Sequence, residues 1–263
     1  MATEYLTNDI ELTSVADAIR AKSGQTGQLI YPDGFASAVA GIKKAPTTPY
    51  MVAEYEQEPV TAYESASYIK KAKLYNHTRI AAYELAYQHL LQELDMSDPS
   101  NNITTIDANA FAYSMCENVI IPETVTLIGI TAFSSASIGT MILPGSVTRI
   151  SAFAFQGVRG VNDVAPVIKL NEGLAVIDQS AFNGAGIAGE IEIPSTVTEI
   201  GEYCFAYTGI TTVICKPTTP PALGSGAFSS DIAGFTIKVP AASVAAYKAA
   251  TNWSSYADYI VGV

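Results

Sequence analysis

The chain has few of the residues that catalysis and metal binding need. Its 263 residues include three cysteines and two histidines, His77 and His89. Three cysteines without paired spacing predict neither a zinc site nor a disulfide framework. The turn serines Ser146 and Ser195 stand outside any Gly-x-Ser-x-Gly motif, and the dispersed glycines form no phosphate-binding loop. We therefore expect a protein that is not an enzyme, with no catalytic residue, no cofactor and no metal site.

Positive charge and long apolar runs are also scarce. Fourteen Lys and Arg residues stand against 25 Asp and Glu residues, and the net charge of −11 disfavours a nucleic-acid partner. No apolar run reaches the length of a membrane span. The first residues, Met1 to Glu4, lack the basic and apolar regions of a signal peptide. This start favours assembly inside a cell, as for a part of a virus particle, over export.

What the chain does contain is a repeated pattern. A phenylalanine that follows a small residue recurs at gaps of 22, 22, 27, 23 and 23 residues, at Phe111, Phe133, Phe155, Phe182, Phe205 and Phe228. A second marker keeps the same rhythm at Pro122, Pro144, Asn171, Pro194, Pro217 and Pro240. This period is typical of a leucine-rich repeat solenoid, in which stacked units bury a common core.

One unit shows how the residues make a coil. Val119 and Ile121 alternate with their neighbours, so they share one face of a short strand. Pro122 ends the strand because it cannot donate to a ladder. Val125 and Ile128 then turn back to the interior, and the phenylalanine fills the wide end of the coil. The fold class predicted is an α/β-type repeat solenoid with one parallel strand per 22–23 residues.

The pattern Ile-x-Ile-Pro-x-x-Val-x-x-Ile-Gly-x-x-Ala-Phe resembles the BspA-like leucine-rich repeats of bacterial and phage-encoded surface proteins. The resemblance covers residues 103–240 and departs from the family at Ser151, Asn171 and Cys204. It implies a solenoid that presents a binding surface. Residues 241–263, with Tyr247, Trp253 and Tyr256, resemble the family's closing segment and are predicted to form a C-terminal helical cap.

Residues 61–102 are predicted to be a degenerate repeat that caps the other end of the stack. Two alternatives are open there. Thr78 to Leu85 fits the repeat with Leu85 in the phenylalanine position, whereas Tyr83 to Leu94 also has the spacing of an amphipathic helix.

The N-terminal residues 1–45 form a different module, predicted to be a small α-helical hairpin. Apolar residues recur at helical spacing, first at Leu12, Val15, Ala16 and Ile19 and then at Phe35, Ala38, Val39 and Ile42. The stretch 12–42 resembles a segment near the start of tail and minor structural proteins of phages that infect gut Firmicutes. It implies an attachment or oligomerisation module, and the proline-containing residues 46–60 are predicted to be a linker.

Candidate binding residues lie on the predicted exterior. Tyr113, Tyr203 and Tyr207 stand near the phenylalanine corner, where they either contact a partner or only stack on one another to shield the coil edge. The extra residues of the 27-residue gap predict a loop, and we expect contacts from Arg159, Asn162 and Asp163.

An acidic row is also predicted on the exterior. Asp107, Asp178 and Glu202 are assigned to one turn position, for which a calcium site is an alternative that the repeat pattern does not require.

Together these features predict a non-enzymatic phage tail or baseplate-associated protein in the virion. Its partners would be a host cell-surface protein or glycan and, through the N-terminal module, other virion or surface proteins. We expect a homo-oligomer, for which a trimer is one option, and neither a nucleic-acid partner nor a membrane span. The alternative is a bacterial BspA-like adhesin, at the cell surface or secreted, that binds host proteins or glycans.

Overall fold

The computed structural model of the protein describes residues 4–5, 49–55, 69–229 and 231–263. The predicted helical hairpin therefore lies outside the described residues except for the short strand Glu4–Tyr5. Residues 50–55, which the sequence places in a linker, form the strand Tyr50–Tyr55. The remaining described residues wind into a succession of short strands and turns, in which each coil stacks on the one before it.

A seven-stranded, all-parallel sheet runs the length of the stack, and we call it sheet A. Each strand has only two residues, of which the second is buried, and the strands follow one another in chain order. Register is strict: Ile106 pairs with Ile128, and Ile150 with Ile177. The strands are Arg79–Ile80, Thr105–Ile106, Leu127–Ile128, Arg149–Ile150, Val176–Ile177, Glu199–Ile200 and Ala222–Leu223.

The strands that precede the proline turns form the second side of each coil, which we call sheet B. Its first part is the five-stranded group Glu4–Tyr5, Tyr50–Tyr55, Ile69–Tyr75, Glu93–Asp95 and Asn118–Val119, in which the first two strands are antiparallel to their neighbours. A parallel pair follows, Thr140–Ile142 and Val167–Lys169. The last part is the parallel group Ala188–Ile193, Gly209–Cys215, Thr236–Val239 and Ile260–Gly262.

The third side of the coil carries the phenylalanine turns and a short parallel pair, Met115–Cys116 and Ser137–Ile138. Six phenylalanine rings, from Phe111 to Phe228, stack through the middle of the molecule with centroids 4.7–5.7 Å apart and planes within 6° of parallel. Offset stacking of this kind is a favoured arrangement of aromatic rings. The repeated phenylalanine therefore makes one continuous core.

The corner between sheet A and the phenylalanine turn is tight enough to select glycine in some coils. A Cβ on Gly129 would lie 2.7 Å from the carbonyl oxygen of Ile106 in the preceding coil. Gly129 also donates its N–H to that carbonyl at 2.7 Å. Close backbone approach, rather than an unusual dihedral angle, thus explains the glycine that the repeat pattern contains at this position.

Both ends of the stack are atypical. At the first end, Leu85 takes the phenylalanine position, since its N–H donates to Ala110 as that of Phe111 donates to Ala132. The segment from Tyr83 to Leu94 forms turns that lead into the strand Glu93–Asp95 rather than the helix predicted as one alternative, and Leu85 stands in the phenylalanine position that the repeat from Thr78 to Leu85 assigns to it.

At the other end, helical segments and one strand close the stack. They are the 3-10 turn Ala241–Ser243, the helix α1 (Val244–Ala249), the 3-10 helix Trp253–Tyr259 and the strand Ile260–Gly262. The repeats themselves contain turns where the predicted α/β class would place helices. The predicted parallel-strand solenoid is confirmed, whereas the described helices are confined to this cap.

Candidate binding surface

The phenylalanine turns present two columns of residues in the left-handed backbone conformation. One residue lies two positions before the buried ring and one lies two positions after it, with φ between 52° and 63°. The first column holds Tyr83, Asn109, Thr131, Phe153, Ser180, Tyr203 and Gly226. The second column holds Tyr87, Tyr113, Ser135, Gly157, Gly184 and Tyr207.

Stacking of the coils explains why every turn repeats this conformation. The N–H groups of Asn109, Phe111 and Tyr113 donate to carbonyls of the next coil at 3.1, 2.7 and 2.9 Å. The intervening N–H groups of Ala110 and Ala112 instead donate back within the turn. Successive N–H groups thus donate alternately to the next coil and back into their own turn. This alternation fixes the conformation of the turn, and it hydrogen-bonds each coil to the next along both columns.

Five tyrosines stand at these left-handed positions, and all five are exposed: Tyr83, Tyr87, Tyr113, Tyr203 and Tyr207. Positive φ is uncommon for residues other than glycine, asparagine and aspartate. Elsewhere the same columns hold mostly glycine and small polar residues. Bulky aromatic side chains therefore project from positions where the backbone favours small ones.

The tyrosines form two groups. Tyr87 and Tyr113 stack with centroids 5.2 Å apart and planes 3° from parallel, and each is still half exposed. In the second group, the Tyr203 ring covers Gly226 of the next coil, where a Cβ would lie 2.6 Å from the ring. Tyr207 remains 78% exposed. Stacking between like residues, the alternative predicted for these tyrosines, is thus present for Tyr113 and leaves its ring accessible.

The predicted site residues are distributed along the solenoid rather than gathered at one point. Tyr113 and Tyr207 occupy the same column four coils apart, which is about 20 Å at the strand spacing of a sheet. Sequence analysis missed Tyr83 and Tyr87. The sequence feature that could have identified them is their spacing: each lies two residues from Leu85, as Tyr113 lies two residues from Phe111.

The 27-residue gap contains a tight hairpin turn. Asn162 and Asp163 have φ of 52° and 60°, and the N–H of Val164 donates to the carbonyl of Val161 at 3.0 Å. Two consecutive left-handed residues are the signature of a type I′ turn. Gly160 is required beside it, since a Cβ there would lie 1.5 Å from the carbonyl oxygen of Val164.

The predicted contact residues of this gap are all exposed. The backbone of Arg159 joins the coil stack, because its N–H donates to Ala136 at 2.9 Å and its carbonyl accepts from Ile138 at 2.8 Å. Asn162 and Asp163 form the tip of the turn. The loop interrupts the solenoid surface about two coils from Tyr113 and about two coils from Tyr207.

The acidic residues do not form one row. Asp107 and Asp178 directly follow the paired isoleucines of sheet A, but Gly201 occupies that position in the coil of Glu202. Each carboxylate has a partner in an adjacent coil: Arg79 lies 3.4 Å from Asp107, Arg149 binds Asp178 at 2.7 and 2.9 Å, and Ser225 donates to Glu202 at 2.6 Å. Within the described residues, no three His, Cys, Asp or Glu side chains converge as metal ligands.

The two histidines differ in their surroundings. His77 is buried, where its Nε2 lies 2.7 Å from Glu84 Oε1 and its Nδ1 lies 2.9 Å from the carbonyl oxygen of Tyr75. Glu84 also accepts the N–H of Ala81 at 2.7 Å, so this group ties the first turn together. His89 is exposed and lies edge-on to Tyr87, with ring centroids 6.5 Å apart.

The cysteine thiols are buried and unpaired. Burial raises the pKa of Cys116 and of Cys215 to about 12, and it also raises the pKa of Cys204. Because the thiolate is the reactive form, all three side chains behave as small apolar residues of the core.

We expect the native protein to show no fast reaction of its thiols with a disulfide reagent such as 5,5′-dithiobis(2-nitrobenzoate) at pH 8, because the thiols are both inaccessible and protonated. In guanidinium chloride the three cysteines of the chain should all react. A Ser135→Cys variant, with its thiol on a turn, should add one fast-reacting group to the native protein. A fast thiol in the unaltered protein would contradict the burial of these side chains.

Among the described helices, none could cross a membrane. No curated protein sequence matches the chain. Among solved structures, the chain is similar to the pneumococcal vaccine antigen PcpA, at 16% sequence identity and a TM-score of 0.36. The match covers 61% of this chain and 48% of that one, so the chain spans about half the length of that structure. The family described as the BspA type leucine rich repeat region matches in six copies, over residues 59–162 and 164–247. The protein therefore belongs to the BspA-type leucine-rich repeat family.

Proposed function

We propose that this chain is a non-enzymatic binding protein displayed at a cell surface, and that its phenylalanine-turn face contacts a protein or a glycan on another cell. The observation that carries the proposal is the set of five exposed tyrosines at left-handed backbone positions. This function corresponds to an adhesin of the BspA-like type.

The conformation of these tyrosines argues that they serve more than the fold. A residue other than glycine in the left-handed region costs on the order of 1 kcal/mol. Ser135 and Gly184 show that a turn of the same column forms without an aromatic side chain. Tyrosine supplies a large contact area and a hydroxyl group with little loss of side-chain entropy on binding. A binding surface accounts for residues that packing does not require.

The ionisable side chains of the described residues support a function without catalysis. The thiols are buried with raised pKa values, and His77 is held between Glu84 and a backbone carbonyl. Asp107 and Asp178 bind arginines of adjacent coils. These groups are occupied in structural contacts, whereas the tyrosine rings are accessible.

Binding of the fluorescently labelled full-length chain to cultured cells tests the role of the turn face. The double variant Tyr113→Ser with Tyr207→Ser introduces the residue that Ser135 already provides in the same column, so the turns should still form. We expect its affinity to fall by about tenfold or more, as for the loss of aromatic anchors in other interfaces. The control Val261→Thr alters an exposed residue of the last strand and should bind normally. Unchanged binding of the double variant would contradict the proposal.

Treatment of the target cells separates the two classes of partner. Mild periodate oxidation destroys glycan diols, and a protease removes exposed proteins. Binding that is lost only after periodate would identify a glycan, and binding that is lost after protease alone would identify a protein.

A virion protein is the second candidate, and it is supported by the resemblance of residues 12–42 to the start of phage tail proteins. In that case the N-terminal module attaches the solenoid to the particle and makes the chain oligomeric. Light scattering on the full-length chain and on a Met1–Lys44 deletion tests this role. A defined oligomer that becomes monomeric on deletion would support it, and two monomeric proteins would favour the adhesin.

A further inference from the structure

The second left-handed column changes its residue type along the stack. It holds tyrosine at Tyr113 and Tyr207, and the three coils between them hold Ser135, Gly157 and Gly184. A Cβ on Gly184 would lie more than 4 Å from any atom of the other described residues except its chain neighbours, so the space beside it is open. Two aromatic rings thus stand at the ends of a low stretch of the turn face, which is about 20 Å long at the strand spacing of a sheet.

The residue that precedes each column position changes at the same coils. In the tyrosine coils it is a buried alanine, Ala112 or Ala206. In the three coils between them it is a partly exposed polar residue, Ser134, Gln156 or Asn183. Hydrogen-bonding side chains are therefore exposed where the column residue is small. We call this stretch the central strip, and it consists of residues 134–135, 156–157 and 183–184.

The polar side chains of the central strip have hydrogen-bonding capacity left for a ligand. Ser134 and Gln156 make no side-chain hydrogen bond to any described residue, and the amide of Asn183 donates to the carbonyl oxygen of Tyr203 at a long 3.4 Å. Hydroxyl and amide groups both donate and accept hydrogen bonds. Because no residue of the strip carries a charge, the strip suits an uncharged ligand with many hydroxyl groups.

The backbone of the central strip offers no free donor to a peptide. The N–H groups of Ser135, Gly157 and Gly184 donate to the next coil at 2.8, 2.9 and 2.9 Å, and those of the polar residues before them donate back into their own turns. A peptide that adds to a sheet edge gains its affinity from main-chain hydrogen bonds. Recognition at the strip must therefore use side chains and ring faces.

The tyrosine rings supply flat faces at both ends of the strip. Tyr113 stacks on Tyr87 with planes 3° from parallel, so one of its faces is covered and the other is turned toward the coil of Ser135. Tyr207 is largely exposed. A pyranose sugar has a face of C–H groups that packs on the electron-rich face of an aromatic ring, and its hydroxyl groups lie around the rim.

We infer that the central strip binds an uncharged oligosaccharide. Its end sugars pack on Tyr113 and Tyr207, and the hydroxyl groups of the sugars between them hydrogen-bond to Ser134, Gln156 and Asn183. This inference rests on the proposed function and narrows the partner there from a protein or a glycan to a glycan.

The dimensions and the charge of the surface fit such a chain. The coil spacing of about 5 Å is close to the length of one sugar in an extended chain, so about four sugars reach from ring to ring. Arg159 and Asp163, which follow Gly157 in the chain, have opposite charges. They give the surface beside the strip no excess positive charge to attract an anionic glycan.

Isothermal titration calorimetry on the full-length chain tests the inference. The probes are neutral oligosaccharides of glucose, mannose and N-acetylglucosamine in increasing lengths, with hyaluronan and heparin fragments as the anionic comparison. We expect a neutral series to bind with an affinity that rises up to about four sugars and then levels off, because longer chains extend beyond both rings. The affinity should not depend on salt, since no ion pair forms.

A ring placed in the strip should block the site. Gly184→Tyr introduces the residue that the next coil already has at Tyr207, and we expect it to lower the affinity by about tenfold or more. The matched control Glu199→Tyr adds the same ring at an exposed position of sheet A and should bind normally. Gln156→Ala removes hydrogen bonds only and should weaken binding by about fivefold. Far-UV circular dichroism checks that each variant is folded.

The outcomes separate this inference from the proposed function. Binding to none of the neutral chains, or binding that Gly184→Tyr leaves unchanged, would overturn the inference. A preference for heparin or hyaluronan that salt weakens would overturn it in favour of an ionic ligand. If cell binding needs Tyr113 and Tyr207 but is lost after protease alone, the inference fails and the proposed function stands. If the tyrosine double variant binds cells normally, both fail.

Discussion

Replacing Phe155 with alanine is expected to lower the free energy of unfolding by about 3–5 kcal/mol, as for other buried phenylalanines. The side chain is fully buried, and its ring stacks on Phe133 at 5.1 Å and on Phe182 at 5.0 Å. Its loss leaves a cavity in the middle of the ring stack, and the coils on either side hold it open because the backbone hydrogen bonds between them remain. Guanidinium denaturation followed by far-UV circular dichroism measures the change.

The same turn provides a matched control. Phe153 lies two residues earlier, at a left-handed position where Thr131 and Ser180 stand in adjacent coils. Phe153→Ser should therefore change stability by less than about 1 kcal/mol, as for substitutions outside the core. A loss at Phe153 as large as that at Phe155 would mean that the ring stack is not the principal core of the solenoid.

The ring stack is the part of the fold that the sequence predicts best. Each phenylalanine follows a small residue, such as Ala110 or Ala132, and the repeat places all of these pairs at equivalent points of the coil. Equivalent positions in a stack must lie one above another, so the spacing alone implies that the rings meet. The strand predicted before each proline belongs to sheet B, whereas Ile128 was predicted only as an interior residue, so the sheet A strand that ends at Ile128 was not predicted.

The exposed surface is less predictable because it depends on backbone angles that residue types do not reveal. Tyrosine is an uncommon residue at positive φ, so nothing in its identity indicates that Tyr87 and Tyr113 share a left-handed column. The turn of the long gap is different, since Asn162 followed by Asp163 is a pair that tolerates this conformation.

The first coil was ambiguous for a further reason. Leu85 in the phenylalanine position removes the strongest marker, and the surrounding apolar spacing fits a helix equally well. Hydrogen bonding to the next coil decides between them: Leu85 and Tyr87 donate to Ala110 and Ala112, which an isolated helix could not do. Tertiary stacking thus overrides local pattern at the end of the repeat array.

Trp253→Ala is expected to be the most damaging change in the C-terminal cap, with a loss of about 3–5 kcal/mol in the free energy of unfolding. The indole is fully buried, donates its N–H to the carbonyl oxygen of Pro221 at 2.8 Å, and lies edge-on to Tyr247 with ring centroids 4.8 Å apart. Its removal leaves both a cavity and an unpaired carbonyl group, and the latter alone costs about 1–3 kcal/mol. Lys248→Ala, on the exposed side of α1, is the control and should leave stability nearly unchanged.

The position of Trp253 at one end of the stack determines how this loss should spread. Coils contact mainly their neighbours, so opening of the cap first exposes the last strands of sheet B rather than the centre of the solenoid. In the Trp253→Ala variant, amide hydrogens of Thr236–Val239 should therefore exchange faster, while those of Leu127–Ile128 keep their protection. Equal acceleration at both strands would show that the solenoid unfolds as one unit. The cap would then act on the whole array, rather than only closing the last coil.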